Sequence, residues 1–464
     1  MSPETRQTTL RPPLILVPQH FGCTVFDRRT SRYLPFDRDA TELLRRLEHN
    51  DIDSVIREVS REKDRKQILE FFDDFYQRGF FTITGRFAGV ILDLEAPRDH
   101  LAGPLALHLE VVAACNLSCS HCFAGVLPRQ EHPLALNELD SLFGQMAALG
   151  TYRLGLTGGE PLLRKDLFQI LDLALKHGLC PCVTTNGLLI TEEIAREFGR
   201  RELVWLNVSL EGASAQSNDP IRGLDTFRRV VERVRILRQH SRFTLAFTIM
   251  SSNVHEVRAC AALAEELGAS TAVFRPLYPV GVARHHLDLM PSFEQYNAAL
   301  NDLASLERDH DLGLHNIDPF SPLSRQEEQS VIYQNHGCGA GNLVCSVSVS
   351  GEVSPCSFLG ADSYTANVRH RSLRQIWDES AGFRAIRALP DSEPFDNGPG
   401  AARFSGGCRA RALVLNGSIN APDPWVTSRQ ELLMASTNVS DSVNHPLEVV
   451  QLDPSAGRGG LKQE

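Results

Sequence analysis

The spacing of hydrophobic positions changes character twice along the chain, near residues 100 and 330. The first stretch opens with an apolar run, Leu14 to Val17, followed by a hairpin pattern over residues 21–36. Three amphipathic helical patterns come next, near residues 37–48, 51–60 and 64–78, and then a returning strand at residues 80–83. Asn50 and Asp51 supply a helix stop and a new N-cap. Strands around three helices predict a winged-helix-like module.

Residues 105–310 alternate between apolar strand patterns and amphipathic helical patterns. The predicted strands are 105–112, 153–157, 182–185, 204–210, 243–250 and 271–275, and the predicted helices are 136–149, 166–177, 191–200, 224–239 and 255–267. Strands joined by crossovers of this length predict a parallel sheet covered by helices. Six strands, with no evident seventh or eighth, indicate an α/β fold with a partial (β/α)6 TIM-like barrel. Its site is expected at the carboxyl ends of the strands.

Residues 335–425 are rich in Gly, Ser, Pro and Cys and contain few long periodic segments. A hairpin is predicted over residues 344–353, with its turn at Ser350-Gly351. Loop-rich segments with spaced cysteines are commonly held together by a metal site, which predicts a small loop-rich metal-binding domain here. The predicted domains are 1–95, 100–320 and 330–426, followed by a polar tail over 427–464.

Composition excludes several classes of protein. Hydrophobic residues make up 42% and charged residues 22% of the 464 residues, as in soluble globular proteins. The net charge of −10, with no long basic run, argues against a nucleic-acid partner. No apolar run has the length of a membrane span, and the N-terminus lacks the apolar core of a secretory signal. We therefore expect a cytoplasmic protein without a membrane partner.

Eleven cysteines in a cytoplasmic chain indicate metal or redox chemistry more than disulfides. Cys115, Cys119 and Cys122 lie within one loop directly after the first barrel strand. Three thiolates on a cubane of tetrahedral irons leave one iron without a protein ligand, which can take a small chelating cofactor. A zinc site is the alternative, with His121 as the adjacent fourth donor. Four other cysteines, at 23, 180, 182 and 260, are expected to pack as small hydrophobic residues.

The segment Cys115-Asn-Leu-Ser-Cys119-Ser-His-Cys122, a CxxxCxxC pattern, resembles the radical S-adenosylmethionine (SAM) superfamily. The resemblance implies that the unique iron of a [4Fe–4S] cluster binds SAM and cleaves it to a 5′-deoxyadenosyl radical, which abstracts hydrogen from a substrate. Further residues resemble the SAM-binding segments of the family and follow the next strands of the barrel. They are Gly158, Gly159, Glu160 and Pro161, then Asn186, Ser209 and Arg222. Glu211 stands where the family often has Asp. No catalytic acid or base can be named.

A second group of cysteines resembles the SPASM extension of radical SAM peptide-modifying enzymes. It comprises Cys338, Cys345, Cys356 and Cys408, with Gly351 five residues before Cys356. The resemblance implies a small loop-rich iron–sulfur domain with one auxiliary [4Fe–4S] cluster, which is ligated by four thiolates and serves electron transfer or support. The outer SPASM cluster is expected to be lost, because its cysteine positions hold Phe395, Gly398, Phe404 and Val426. A four-thiolate zinc site is the alternative.

The N-terminal module is similar to PqqD-like domains that capture leader peptides, from the pattern Val25-Phe26-Asp27 to Tyr33-Leu34-Pro35-Phe36 followed by a helix. This resemblance implies a ribosomally made precursor peptide as partner, its leader bound by strand addition. A crosslink or an oxidative decarboxylation is then the expected reaction, with flavodoxin or ferredoxin as electron donor.

Two alternatives remain. Gly406-Gly-Cys408-Arg-Ala-Arg411, followed by Asp423-Pro-Trp425, also resembles radical SAM enzymes that remodel tetrapyrrole propionates. A non-catalytic iron–sulfur scaffold is the alternative from another class, and it does not explain why SAM-type motifs accompany the cysteine loop.

Overall fold

The described residues form two compact units, the first ending at Ala102 and the second beginning at Gly103. The computed structural model describes residues 12–124, 132–307, 312–316, 338–389 and 407–428. Within this described part, no helix is long and apolar enough to cross a membrane.

The first unit is a four-stranded sheet with three helices. Its elements are β1 (Leu14–Gln19), β2 (Gly22–Asp27), β3 (Arg32–Asp37), α1 (Arg38–His49), α2 (Ile52–Glu58), α3 (Glu62–Tyr76) and β4 (Gly89–Ile91). The strand order is β3-β2-β1-β4, antiparallel except that β4 runs parallel to β1. Asp37 and Asp51 cap α1 and α2 by accepting hydrogen bonds from the backbone N–H groups of Ala40 (2.8 Å) and Ser54 (2.7 Å). The three predicted helices and the hairpin are confirmed.

The predicted returning strand at residues 80–83 is wrong. Phe80 is 1% exposed and packs on Phe75 of α3, with ring centroids 4.9 Å apart, and Phe81 stacks on Phe72 at 4.6 Å. These aromatic residues therefore fill the core beside α3 instead of extending the sheet. The strand that returns to β1 is the short β4, which follows in the chain.

The second unit contains a ten-stranded sheet that does not close into a barrel. Its strands are β5 (Ala106–Val112), β6 (Arg153–Gly158), β7 (Cys180–Thr185), β8 (Trp205–Ser209), β9 (Thr244–Ile249), β10 (Thr271–Pro276), β11 (Gly313–Asn316), β12 (Val344–Val347), β13 (Glu352–Ser354) and β14 (Ala366–Asn367). Their order is β11-β10-β9-β8-β7-β6-β5-β12-β13-β14, so β11 and β14 form the edges. Strands β5 to β11 are parallel, and β12 runs parallel to β5.

All six predicted strands are present, and the sheet is longer than six strands. The parallel strand β11 was not predicted, because its four residues, Gly313-Leu-His-Asn316, contain one aliphatic side chain. The predicted hairpin is confirmed as the antiparallel pair β12–β13, with Gly351 at a φ of +88° in its turn. Strand β13 also pairs antiparallel with β14, and this pair extends the sheet beyond the barrel strands.

Helices connect the parallel strands and follow the C-terminal hairpin. They are α4 (Leu136–Ala148), α5 (Leu167–Lys176), α6 (Glu192–Gly199), α7 (Ala215–Arg222), α8 (Thr226–Leu237), α9 (Val257–Glu266), α10 (Phe293–Glu307), α11 (Leu373–Glu379), α12 (Ala381–Arg387) and α13 (Arg409–Asn416). The five helices predicted in the barrel are confirmed within about two residues at each end.

Alternate side chains of each barrel strand face either the helices or the concave side of the sheet. On β5, Leu107, Leu109 and Val111 are at most 1% exposed, whereas His108 and Glu110 are half-buried on the other face. The concave face is therefore polar and partly open. The loops at the carboxyl ends of the strands border this opening, which is where the predicted cofactor residues lie.

Candidate active site

The cysteine loop leaves β5 at Val112 and is held to the rest of the unit by its backbone. Cys122 N donates to Cys119 O (3.3 Å), and Ser120 N donates to Ile221 O of α7 (3.1 Å). Burial raises the pKa of the Cys119 thiol to about 11, and the nearby thiols of Cys122 and Cys115 add to the increase. The three thiols therefore lie near one another, and as thiolates they would repel one another unless a positively charged centre bound them.

Two glycines allow the loop after β6 to lie directly on the backbone that leads into Cys115. Gly159 N donates to Val112 O (2.6 Å), and Glu160 N donates to Ala114 O (2.9 Å). A Cβ atom on Gly158 or Gly159 would stand well inside van der Waals contact with these carbonyl oxygens. Gly158 also has a φ of +138°, which favours glycine. Any larger residue at either position would push the two loops apart.

Glu160 joins this loop to the end of β7. Its buried carboxylate accepts hydrogen bonds from Thr185 Oγ1 (2.6 Å), Asn186 N (2.8 Å) and Leu162 N (3.1 Å). Burial nevertheless raises its pKa. The Asn186 side chain in turn donates to Asn116 Oδ1 in the cysteine loop (2.7 Å). Residues from the first three strand ends, separated in sequence, therefore meet at one place.

Sequence reasoning missed a buried polar network centred on Glu211. Its carboxylate bonds His121 Nε2 (2.9 Å) and accepts from Arg222 Nη1 (2.8 Å) and Thr248 N (2.8 Å). Burial acts to raise the pKa of Glu211, but the charges of His121 and Arg222 and these hydrogen bonds outweigh it, and the pKa is lowered. Within the described residues, His121 Nδ1 and Arg222 Nε are buried without a hydrogen-bond partner. The network thus anchors the cysteine loop to α7 and leaves two polar atoms for a bound group.

Ser209, the remaining predicted cofactor contact, ends β8 in a half-buried position and pairs with Ala246 of β9. Ser209 stays a predicted SAM contact.

Cys338, Cys356 and Cys408 gather around one small apolar cluster that also includes Val280 and Leu359. Burial raises the pKa of Cys356 and Cys408, and the Cys338 thiol acts on both. Phe358 N donates to Cys356 Sγ at 3.5 Å. These three predicted ligands therefore come together, although Cys408 lies far from the other two in sequence.

Cys345, the fourth predicted auxiliary ligand, is placed differently. It pairs with Leu107 of β5 and is 1% exposed, on the helix-facing side of the sheet. Burial raises the pKa of its thiol to about 12, and Arg387 is the charged group that acts on it. The contacts of Cys345 thus differ from those of the other three cysteines.

The C-terminal end of the auxiliary site is closed by a buried ion pair. Asp423 accepts from Arg411 Nε (2.7 Å), Arg411 Nη2 (2.6 Å) and Cys408 N (2.7 Å). The Arg411 guanidinium lies 3.9 Å from the ring centroid of Trp425, which stacks on Tyr296 at 4.8 Å. The Asp-Pro-Trp sequence noted above therefore fixes the backbone at Cys408. Val426 adjoins Gly407, and Phe395, Gly398 and Phe404 lie outside the described residues.

The donors predicted for both sites are cysteine thiols. Thiolates are the usual protein ligands of iron–sulfur clusters, in which each cysteine binds a different iron of the cubane. In the chemistry of their donors, both groups of cysteines therefore fit a [4Fe–4S] cluster.

A small pocket lies between the two groups of cysteines. It is lined by Phe123 and Ala124, directly after Cys122, and by Cys356 and Ser357. Glu110 of β5 contributes a carboxyl group to the same wall. A substrate in this pocket would border the first cysteine loop on one side and the auxiliary site on the other.

Comparison with known proteins identifies two domains in the chain. Residues 109–263 match the model of the radical SAM superfamily, and residues 338–399 match the SPASM iron–sulfur cluster-binding domain. The chain carries a radical SAM domain followed by a SPASM domain. It is therefore an enzyme, with [4Fe–4S] clusters and SAM as its cofactors.

The relatives of this radical SAM–SPASM chain bear two kinds of name. An AdoMet-dependent heme synthase of Methanosarcina barkeri is 28% identical over 347 residues, which cover 70% of this chain and 97% of the relative. The mycofactocin maturase MftC of Mycolicibacterium smegmatis is 29% identical over 335 residues, which cover 70% of this chain and 83% of the relative. The two names describe different reactions.

Solved structures agree with the fold. Streptococcus suis SuiB bound to its precursor peptide SuiA superposes with a TM-score of 0.65 at 15% identity, over 89% of this chain and 98% of SuiB. Native anSMEcpe with bound AdoMet gives a TM-score of 0.56 at 17% identity, over 73% of this chain and 100% of that protein. The α/β fold with an open parallel-sheet core is thus shared with SuiB and anSMEcpe.

Proposed function

We propose that this chain is a cytoplasmic radical SAM peptide maturase, which crosslinks or oxidatively decarboxylates a ribosomally synthesised precursor peptide. The observation that carries the proposal is the pocket between Phe123 of the first cysteine loop and Cys356 of the auxiliary site. The relative named mycofactocin maturase and the fold shared with SuiB, which was solved with a precursor peptide, support it.

The three cysteines of the first loop would hold the SAM-binding cluster. When bound there, the cluster and SAM supply a 5′-deoxyadenosyl radical that takes hydrogen from the substrate. The chain's own contribution is orientation: Glu160 fixes the ends of β6 and β7, and Asn186 fixes the cysteine loop through Asn116. Gly158, Gly159, Pro161, Ser209 and Arg222 complete the proposed SAM contacts. Burial of the Glu211 network excludes water from this side of the site.

Cys338, Cys356 and Cys408 would hold the auxiliary cluster, with Cys345 as the predicted fourth ligand. The N–H of Cys408 is already committed to Asp423, so the backbone that presents this thiol is preorganised. A small electron-transfer protein such as flavodoxin or ferredoxin would supply the reducing electron.

The first unit would bind the leader of the precursor peptide. Its edge strand β3 pairs with β2 on one side, and Pro35 within it is typical of an edge position, which suits addition of a peptide strand. Phe36 of β3 contacts Phe71 of α3 with ring centroids 5.9 Å apart, and Phe71 is half-buried. Leu69 and Tyr76 on the same helix are 45% and 38% exposed and offer apolar contacts.

The test uses anaerobically reconstituted full-length enzyme with SAM and dithionite. We expect 5′-deoxyadenosine to form, and a precursor peptide encoded next to the gene to gain a mass change of −2 for a crosslink, or −46 for decarboxylation with loss of two hydrogens. Residues 1–102, which have their own hydrophobic core, should bind the leader half of that peptide. Absence of peptide binding and of any mass change would contradict the proposal.

The second candidate is remodelling of tetrapyrrole propionates, favoured by the relatives named AdoMet-dependent heme synthase. Conversion of a porphyrin propionate, with no change in any peptide, would establish it instead. A non-catalytic scaffold would form no 5′-deoxyadenosine.

A further inference from the structure

Arg275 lies on the concave face of the sheet, inside the open barrel. It pairs in register with Thr248 of β9, whereas the neighbouring Phe274 is buried and stacks on Phe247 toward the helices. Alternation along the strand therefore turns Arg275 inward, and its side chain is half-buried. Long cationic side chains in such a position need either water or an anion around the charged end.

Two side chains of other barrel strands lie within electrostatic reach of Arg275. It acts electrostatically on His108 of β5 and Cys182 of β7. The His108 ring bonds Ser357 Oγ (3.0 Å), and the Cys182 thiol accepts from Asn207 Nδ2 (3.3 Å), so both already have partners. Neither group carries a negative charge that could balance the guanidinium.

The charge of Arg275 is uncompensated within the described part of the chain. Arg275 Nε is fully buried without a hydrogen-bond partner, and no carboxylate of the described residues forms an ion pair with this side chain. By contrast, the buried arginines Arg222 and Arg411 are each paired with a carboxylate. Arg275 thus has the chemistry of a ligand-binding arginine rather than a structural one.

Arg275 also lies beside the proposed substrate pocket. Ser357, which lines that pocket, is bonded to His108, and Glu110 of the pocket wall stands two positions beyond His108 on the same face of β5. A substrate entering between the two cysteine groups would therefore reach the region of Arg275 as it extends into the barrel.

We infer that Arg275 binds a carboxylate of the substrate inside the barrel, as a guanidinium can do with two parallel hydrogen bonds. The identity of the carboxylate rests on the proposed function: for a peptide maturase it is the C-terminal carboxylate or an acidic side chain of the peptide. The same site chemistry would take a propionate if the substrate were a tetrapyrrole.

The test measures binding to full-length, reconstituted, SAM-loaded enzyme by equilibrium dialysis. The probes are the tripeptide Ac-Gly-Ala-Phe with a free C-terminal carboxylate, its C-terminal amide, mesoporphyrin, and mesoporphyrin dimethyl ester. The proteins are the wild type, Arg275→Gln, Arg275→Lys and the control Arg229→Gln, which changes an exposed arginine of α8. Iron content and substrate-free 5′-deoxyadenosine formation are measured on the same preparations.

We expect the wild type and Arg229→Gln to bind the peptide acid at least tenfold more tightly than the amide. Arg275→Gln should lose that preference and Arg275→Lys should keep part of it, with unchanged 5′-deoxyadenosine formation. A preference for the porphyrin acid alone, lost in Arg275→Gln, would support the carboxylate site and overturn the peptide as its source. Equal binding of acids and esters or amides, or a preference that survives in Arg275→Gln, would overturn the inference. If Arg275→Gln loses its iron, the preference of Arg275→Lys for the acid over the amide is used instead: a reduced preference supports the inference, and an unchanged one overturns it.

Discussion

Removing the Asp423 carboxylate should destabilise the second unit strongly. Asp423 is 0% and Arg411 1% exposed, and the carboxylate also receives the N–H groups of Cys408 (2.7 Å) and Trp425 (3.1 Å). In Asp423→Ala the guanidinium stays buried without its counter-charge. Breaking a buried pair from one side costs about 3–5 kcal/mol. Because domain stabilities are typically about 5–15 kcal/mol, this is a large share of the total.

The assay is denaturant unfolding of the metal-free protein, combined with iron analysis after reconstitution. Asp302→Ala is the matched control, because its partner Arg258 is exposed and such pairs contribute at most about 1 kcal/mol. The double variant Arg411→Met/Asp423→Leu removes both charges and should recover much of the loss. We expect Asp423→Ala to lose auxiliary iron while Asp302→Ala does not. A change in unfolding free energy below about 1 kcal/mol for Asp423→Ala would refute the reasoning.

Three further predictions concern other parts of the second unit. Burial lowers the pKa of His108 to about 4 from its ordinary value of 6.5, with help from Arg275, so the folded state resists protonation. The free energy of unfolding should fall by roughly 2 kcal/mol between pH 7.5 and 5, because the unfolded chain binds a proton at His108 in this range and the folded chain does not. His108→Gln, measured by denaturant titration at both pH values, should lose this pH dependence. An unchanged pH dependence in the variant would contradict the assignment. Gly159→Ala should lose the iron of the first cluster and form no 5′-deoxyadenosine, because its Cβ would collide with the carbonyl oxygens of Ala113 and Ala114. The control Gly144→Ala should behave as the wild type, because its Cβ would meet His177 at 3.4 Å, an ordinary contact distance. As proposed ligands of the auxiliary cluster, Cys345 and Cys356 should each be needed for its iron, so Cys345→Ala and Cys356→Ala should both lose four irons in an iron assay of the reconstituted protein. Retention of auxiliary iron in Cys345→Ala, whose buried thiol has other charged neighbours than Cys356, would remove Cys345 from the ligand set.

The open-barrel core followed from sequence because each of its strands carries enough apolar residues to show its period. Leu105–Val112 alternates buried and half-buried residues over its whole length, and this is a pattern that local sequence contains. Strand β11 escaped prediction because pairing with β10, a tertiary contact, makes its short polar segment a strand. At residues 80–83, aromatic packing on α3 overrode an apolar pattern that resembles a strand.

The parts of the candidate site that are close in sequence could be predicted, whereas the contacts between residues distant in sequence could not. The three cysteines of the first loop and the Gly-Gly-Glu-Pro segment stand out as contiguous motifs. Glu211 was noticed only as a departure from the family's usual Asp, although it holds both His121 and Arg222. Nothing local in sequence marks Arg275 or His108, because their meeting depends on β5 and β10 curving around one concave face. The proximity of Arg275 and His108 can be recognised only from the three-dimensional arrangement of the strands.

The central claim is that the first cysteine loop leaves one iron open to SAM. Electron–nuclear double resonance on the reduced enzyme, with SAM labelled with ¹⁵N at its amino group, tests it most directly. The account predicts a ¹⁵N coupling to the cluster in the wild type that disappears in Cys119→Ala. A reduced cluster whose spectrum shows no such coupling, and does not change when SAM is added, would contradict it.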